Sequence, residues 1–235
     1  MLIAIHQPNY FPWTGYFYKI MKAEYFIFLD DAQYTKNSFI NRTNIIDNKK
    51  KVWLSIPVKN KFGHKINQTM VADREWKKKH LSKIKNSYKK SIFFKEFWIK
   101  VNDLLESIKS NYISDINKEI IIAISSWFNF ETKFYNSSSL AIDNDLKSEE
   151  RLIEIIKYFK CNSYLSGQGG KKYQDEKKFS FKKINLFYST PLHMPYKQNT
   201  SNFITGLSIL DPLFNLGLEP TLKYINNSFE SSCKN

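Results

Sequence analysis

Two prolines interrupt the chain directly after its first apolar run, and this arrangement does most to limit the fold. Leu2 to His6 predict a short strand, and Pro8 and Pro12 exclude regular structure from the segment that follows it. From Thr14 apolar residues recur at helical spacing, and Tyr25 to Leu29 again predict a buried strand. A strand, a loop, a helix and a strand in this order indicate two parallel strands joined by a crossover.

The rest of the chain continues this alternation of strands and helices. We predict helices near 76–90, 94–109 and 113–129, after Ser148 and in LSILDPLFNLG, and strands at Val52–Pro57 and near 133–135, 163–165 and 184–188. The expected fold class is α/β, with a Rossmann-like, mostly parallel sheet and an inserted helical lobe at about 76–130. Residues 1–225 are expected to form a single domain, and residues 226–235 a loose polar tail.

The chain is strongly basic, with 36 Lys and Arg against 22 Asp and Glu and a net charge of +14. This excess favours an anionic ligand. However, only Arg42, Arg74 and Arg151 are arginines, whereas proteins that read nucleic-acid sequence grip guanine with Arg. We therefore expect much of the charge to be solvated surface, and we do not expect nucleic acid as the partner.

The sequence shows neither the pattern of a secretion signal at its start nor an apolar run long enough to span a membrane. The segment MLIAIHQPNY lacks a basic region followed by a long apolar run, and Ile120 to Ile124, the most apolar run, is far shorter than the about 20 residues that span a bilayer. We expect a cytoplasmic protein without stable membrane insertion.

Polar residues follow the first predicted strand, at the place where open α/β sheets bind their ligands. His6, Gln7, Asn9 and Tyr10 stand there. His6 is a candidate base at neutral pH, or a donor to a phosphate. The alternative is that His6 caps the strand and bonds the backbone.

A second polar group follows the strand that ends at Leu29. Asp30 and Asp31 could hold a cation, a sugar hydroxyl or an amine, and successive residues of a strand point to opposite faces, so that one of the two faces the site. Lys36, Asn41 and Arg42 come next, and the two cations are suited to a diphosphate. The alternative is a solvated turn, which fits Asp31 better than Asp30.

The third group is SGQGGKKY, where three of the seven glycines fall within four positions after a predicted strand. Such a run permits close approach of the backbone to an anion, although it is neither a P-loop nor GxGxxG. A flexible turn is the alternative. The candidate binding residues of this group are Ser166, Gly167, Gly169, Gly170, Lys171 and Tyr173.

Weaker candidates lie elsewhere in the chain. Tyr196 and Gln198, with Ser208 and Asp211 beyond them, fit either the edge of a pocket or ordinary capping. His80 stands in WKKKHL and is expected on a solvated basic helix face.

Six segments together resemble the WbqC-like family: IHQPNYFPWTGYFYKI, FIFLDDAQYTKNSFINRTNI, VWLSIPV, WKKKHL, YLSGQGGKKY and LSILDPLFNLG. The resemblance implies an enzyme of bacterial O-antigen or lipopolysaccharide synthesis, described for the family as a glycine transferase. Its substrates would be a nucleotide-linked amino sugar and an acyl or aminoacyl donor. His6 and Asp30 are then the expected catalytic residues.

Three alternatives stay open at this point. One is an ATP-dependent ligase that activates the amino acid as its adenylate, so that either ATP or an already activated acyl donor would serve as the second substrate. The others are a noncatalytic scaffold and a nucleic-acid-binding protein, whose affinity for duplex DNA would fall steeply with salt. The acceptor sugar and the oligomeric state do not follow from the sequence.

Overall fold

A six-stranded sheet lies at the centre of the fold. The computed structural model describes residues 1–59, 61–143, 145–146, 148–192 and 194–233. Along the sheet the strands are β10 (Phe229–Cys233), β9 (Asn185–Pro191), β8 (Ser163–Gly167), β1 (Leu2–His6), β2 (Tyr25–Phe28) and β7 (Lys133–Asn136). Every neighbouring pair is parallel except β9 and β10. The predicted α/β class with a mostly parallel sheet is confirmed.

Helices cover both faces of the sheet, as the alternation of side chains in β1 requires. Ala4 packs in one apolar cluster with Phe17 of α1 (Thr14–Lys22). Ile3 and Ile5 point the other way and pack with Ile156 of α5 (Ser148–Tyr158). A further short helix, α6 (Glu176–Phe181), packs on this second side.

The three helices predicted near 76–90, 94–109 and 113–129 are present as α2 (Trp76–Tyr88), α3 (Phe94–Ser107) and α4 (Ile113–Trp127). Two later helices, α7 (Leu210–Leu216) and α8 (Leu218–Asn227), complete the α1 side of the sheet. No helix in the described part of the chain is both long and apolar enough to cross a bilayer.

The strand predicted at Val52–Pro57 does not join the central sheet. β3 (Arg42–Asp47) and β4 (Lys50–Ser55) form a separate antiparallel hairpin. Its turn at Asn48 and Lys49 has φ of 47° and 61°, which is the left-handed conformation that two-residue hairpin loops require. A second small pair, β5 (Val58–Lys59) and β6 (Met70–Val71), follows it.

The expectation of a loose tail is wrong for residues 229–233, because they form β10 at the edge of the sheet. Phe229 is buried, and its ring lies 5.4 Å from that of Trp13 and 5.3 Å from that of Tyr18. This one aromatic anchor, together with the backbone hydrogen bonds to β9, holds an otherwise polar segment in place.

Candidate functional site

The largest group of candidate residues meets at the carboxyl ends of β1 and β8. From β1 the chain proceeds to β2 and β7 on one side, and it then returns to place β8 and β9 on the other side. This reversal is the topological switch point at which open α/β sheets bind ligands. A cavity of about 710 Å³ lies there, and we call it the switch-point cavity. Its lining includes His6, Gln7, Asp31, Lys65, Glu149, Arg151, Ser166, Gly167, Gly169, Gly170, Tyr173 and Gln174.

The ring of His6 is fixed by the backbone carbonyl of Gln7. That oxygen lies 2.9 Å from His6 Nδ1 and also accepts a hydrogen bond of 3.0 Å from the Tyr16 hydroxyl. Because a carbonyl oxygen only accepts, Nδ1 carries the proton and the Nε2 lone pair remains available. The Tyr16 ring packs edge-on against the imidazole, with 4.8 Å between the centroids.

The charge state of His6 differs from the expectation of a base with a pKa near neutrality. Burial, and after it the nearby Lys19 ammonium, lower the pKa of His6 to about 3. His6 is therefore uncharged at physiological pH and acts as a hydrogen-bond acceptor through Nε2. It does bond the backbone, as the alternative interpretation held, while still lining the switch-point cavity.

Lys19 is the feature that the sequence reasoning did not assign. It stands on α1, is only 3% exposed, and its Nζ has no hydrogen-bond partner among the described residues. Nζ lies 5.6 Å from the centroid of the Tyr16 ring and 3.7 Å from the position that a Cβ on Gly167 would occupy. Burial lowers the pKa of Lys19 to about 7. One signal was present: Lys19 is the only Asp, Glu, Lys or Arg among residues 1–21.

The glycine-rich segment forms a short 3₁₀ turn, Gln168–Lys172, at the end of β8. A Cβ at Gly170 would lie 2.4 Å from Ser166 Oγ and 2.5 Å from Gln174 Oε1, so a larger residue there would have to displace both side chains. A Cβ at Gly169 would meet nothing within 4 Å. The backbone at Gly169 is thus open to close approach by a ligand. Lys171 does not line the cavity; its Nζ lies 5.1 Å from the centroid of the Tyr188 ring.

The two adjacent aspartates have different surroundings. Asp30 is buried, and its carboxylate accepts hydrogen bonds from the backbone N–H and hydroxyl of Ser138 at 3.0 and 2.8 Å. Lys118 Nζ lies 3.5 Å from it. Asp30 therefore joins β2 to the segment after β7 and does not line the cavity. The catalytic role predicted for Asp30 has no geometric support.

Asp31 does line the switch-point cavity, contrary to the interpretation of a solvated turn. Its carboxylate forms an ion pair with Arg151 of α5 and accepts a hydrogen bond from Ser137. Glu149, at the start of α5, is likewise paired, with Lys178 Nζ at 2.6 Å. The two ion pairs fix both carboxylates at the cavity wall.

Several predicted binding residues lie away from the cavity because they serve the lobe and the hairpin. The buried Tyr10 hydroxyl lies 2.8 Å from His80 Nδ1, so the expected solvated position of His80 is wrong. Asn41 accepts a hydrogen bond from Tyr34 and donates one to the Ile56 carbonyl. Asn9 is buried outside the cavity lining.

The remaining candidates are also placed elsewhere. Lys36 is exposed, and the Arg42 guanidinium lies 4.0 Å from the centroid of the Trp53 ring, on the hairpin. Tyr196 and Gln198 both donate to Asp211, at 2.5 and 3.1 Å, in a buried network that holds the start of α7. Burial raises the pKa of Asp211 to about 6.

A second and larger depression, about 1140 Å³, lies between α2 and the β3–β4 hairpin. We call it the lysine groove, because six lysines line it: Lys49, Lys78, Lys79, Lys83, Lys89 and Lys90. No group of His, Cys, Asp and Glu in the described residues is arranged to hold a metal ion.

Comparison with known proteins gives the family. The model of the WbqC-like protein family matches residues 7–222, which begin directly after β1 and include the end of β8. The chain belongs to the WbqC-like family. The chain is also similar to the uncharacterized protein Rv1507c of Mycobacterium tuberculosis. The two are 32% identical over 222 residues, which cover 92% of this chain and 94% of the relative. No solved structure shows significant similarity to the chain.

Proposed function

We propose that this chain is a transferase that adds an aminoacyl (glycyl) or other acyl group to the amine of a nucleotide-linked amino sugar, in the synthesis of a bacterial surface polysaccharide. The observation that supports it best is that one cavity is lined both by His6, an uncharged imidazole that can accept a hydrogen bond, and by Asp31, whose carboxylate is held in place by Arg151. Membership of the WbqC-like family is compatible with such an enzyme.

The reaction needs an acceptor for one proton. The sugar amine attacks the acyl carbon, the bond from that carbon to the donor's leaving group breaks, and an amide forms. The amine loses a proton on the way, and the leaving group takes up one proton in the end. We assign to His6 Nε2, which the contact between Nδ1 and the Gln7 carbonyl leaves unprotonated, the role of accepting the proton from the amine and passing it to the leaving group.

The lowered pKa of His6 suits a relay of this kind. An amine becomes strongly acidic only once it has bonded to the acyl carbon, so a weak base suffices at that stage. The imidazolium formed is short-lived and returns its proton to the leaving group, which keeps His6 ready for the next turnover. Asp31 accepts a hydrogen bond from the amine or a neighbouring hydroxyl, and so orients the sugar.

The nucleotide carrier finds suitable surroundings at the other end of the cavity. Gly169 leaves the backbone accessible, Lys65 supplies a cation at the rim, and the exposed ring of Tyr173 offers a surface for stacking on a base or sugar. In this arrangement Lys36 and Arg42, which were expected to neutralise the diphosphate, take no part.

The test incubates the purified protein with UDP- and dTDP-linked amino sugars, together with either an activated acyl ester or thioester, or free glycine with and without ATP. Mass spectrometry then measures the added acyl mass. Turnover with an activated donor and no ATP is expected; turnover only with ATP and free glycine would indicate the ligase instead.

Variants of His6 test the mechanism itself. His6→Ala and His6→Gln should each lower turnover by about 100-fold or more while the circular dichroism spectrum is retained. His64→Gln, which alters a histidine outside the cavity lining, is the matched control and should keep wild-type turnover. Near-normal turnover in both His6 variants would remove the proposed proton acceptor.

A further inference from the structure

Lys19 carries a buried amine for which the described residues offer neither a counterion nor a hydrogen-bond partner. It lies in the middle of α1, where the helix packs against β1, β8, β9 and α8. The groups that face its Nζ are the His6 ring from β1, the Tyr16 ring from α1 and the backbone of Gly167 from β8. None of these carries a negative charge, since burial raises the pKa of Tyr16 well above its usual range.

A buried charge without a partner is costly, because neither water nor an opposite charge compensates for its lost hydration. A protein retains such a group where a ligand supplies the missing charge, or where the uncharged amine reacts as a nucleophile. The position of Nζ favours the first explanation. It lies behind Gly167, 3.7 Å from the position that a Cβ on Gly167 would occupy. Gly167 and His6 line the switch-point cavity, whereas Lys19 itself stands one layer behind that lining.

We infer that Lys19 Nζ binds an oxyanion group of the ligand of the switch-point cavity, a phosphoryl or a carboxylate group, and that the ligand binds together with one proton taken up by this amine. The inference requires the cavity to be a binding site, but it does not depend on which group the protein transfers. It assigns to Lys19 the anionic recognition that Lys36 and Arg42 do not provide from their positions on the loop and hairpin.

The proton uptake is expected because the Lys19 amine is buried. Burial holds the pKa of Lys19 at about 7 in the free protein, so that at about pH 8 most molecules carry the uncharged amine. An oxyanion within hydrogen-bond distance stabilises the ammonium and raises this pKa. Binding near pH 8 is therefore expected to take up close to one proton.

The experiment is isothermal titration of the full-length protein near pH 8 with pyrophosphate as the phosphoryl probe and malonate as the carboxylate probe. Each titration is repeated in two buffers of different ionisation enthalpy, which gives the number of protons taken up. Lys19→Met should weaken binding of the recognised probe by about 10- to 100-fold and abolish the proton uptake. Lys19→Arg should retain binding without proton uptake, because Arg is always charged.

Lys22→Met is the matched control, since Lys22 lies on the same helix but is exposed and bonds Asn226. It should bind like the wild type. Equal affinity of wild type and Lys19→Met, or the failure of both probes to bind the wild type, would overturn the inference. So would a borohydride-stable adduct on Lys19 formed with a carbonyl compound in preference to oxyanion binding, because it would identify Lys19 as a nucleophile. The proton count in the wild type keeps the test decisive even if Lys19→Met folds poorly.

Discussion

Replacing Lys19 with Met should stabilise the ligand-free protein at neutral pH. The amine is buried without a partner, whereas Met fills similar space with a thioether that needs no counterion. The sign follows from linkage: the pKa of Lys19 is lower in the folded protein than in the unfolded chain, so the unfolded chain binds the proton more tightly. The free energy of unfolding of the wild type consequently rises with pH between the folded and unfolded pKa values.

The size of the effect can be worked from the structure. The pKa of Lys19 falls from 10.5 to about 7 on folding. At ~1.4 kcal/mol per pKa unit, this shift lowers the free energy of unfolding by about 4 to 5 kcal/mol at pH 7 and by about 2 kcal/mol at pH 9. The free energy of unfolding of Lys19→Met should therefore exceed that of the wild type by most below pH 7. This difference should narrow by about 2 to 3 kcal/mol towards pH 9.

Urea-induced unfolding of wild type and Lys19→Met, followed by tryptophan fluorescence at several pH values between about 6 and 9, measures this difference. Lys22→Met is the control and should change the free energy of unfolding by about 0.5 kcal/mol or less at every pH, because the side chain is exposed. If Lys19→Met were less stable than the wild type, with a parallel pH profile, the amine would be charged and satisfied, and the reasoning would be refuted.

Three further predictions concern other parts of the molecule. Gly170→Ala should lower the affinity for cavity ligands and cost about 1 to 3 kcal/mol of stability, because its Cβ would lie 2.4 Å from a serine hydroxyl. Gly169→Ala should leave the stability almost unchanged, because its Cβ would meet nothing within 4 Å. Equal effects of the two substitutions in thermal unfolding would contradict this contrast. Tyr10→Phe should cost about 1 to 3 kcal/mol in urea unfolding, since it leaves Nδ1 of the buried His80 unpaired; an unchanged midpoint would disprove that contact. Asp211→Asn should flatten the pH dependence of stability between about pH 4 and 6, because burial raises the pKa of Asp211 to about 6 and the wild type loses stability as pH rises through that range.

The centre of the fold could be predicted from local pattern. Two prolines after the first strand mark where regular structure stops, and the alternation in Ile3, Ala4 and Ile5 requires helices on both sides of the sheet. The edge strand β10 could not be predicted in this way. Its attachment depends on one ring, Phe229, and on backbone hydrogen bonds, neither of which leaves a periodic pattern in the sequence.

The predicted site residues that line the cavity all end a central strand or follow closely after one. His6, Ser166 and Gly167 satisfy that condition and line the cavity, whereas Arg42 begins a hairpin that turns away from the sheet. Local sequence also does not decide which of two adjacent aspartates faces a cavity. That choice depends on distant partners, such as Arg151, which lies 120 positions beyond the aspartate it pairs with.

A crystal structure of the protein with a bound UDP- or dTDP-linked amino sugar tests the central claim most directly. The ligand is expected in the switch-point cavity, with an anionic oxygen at Lys19 Nζ and the sugar amine within hydrogen-bond distance of His6 Nε2. A sugar nucleotide bound in the lysine groove beside α2, with the switch-point cavity empty, would contradict it.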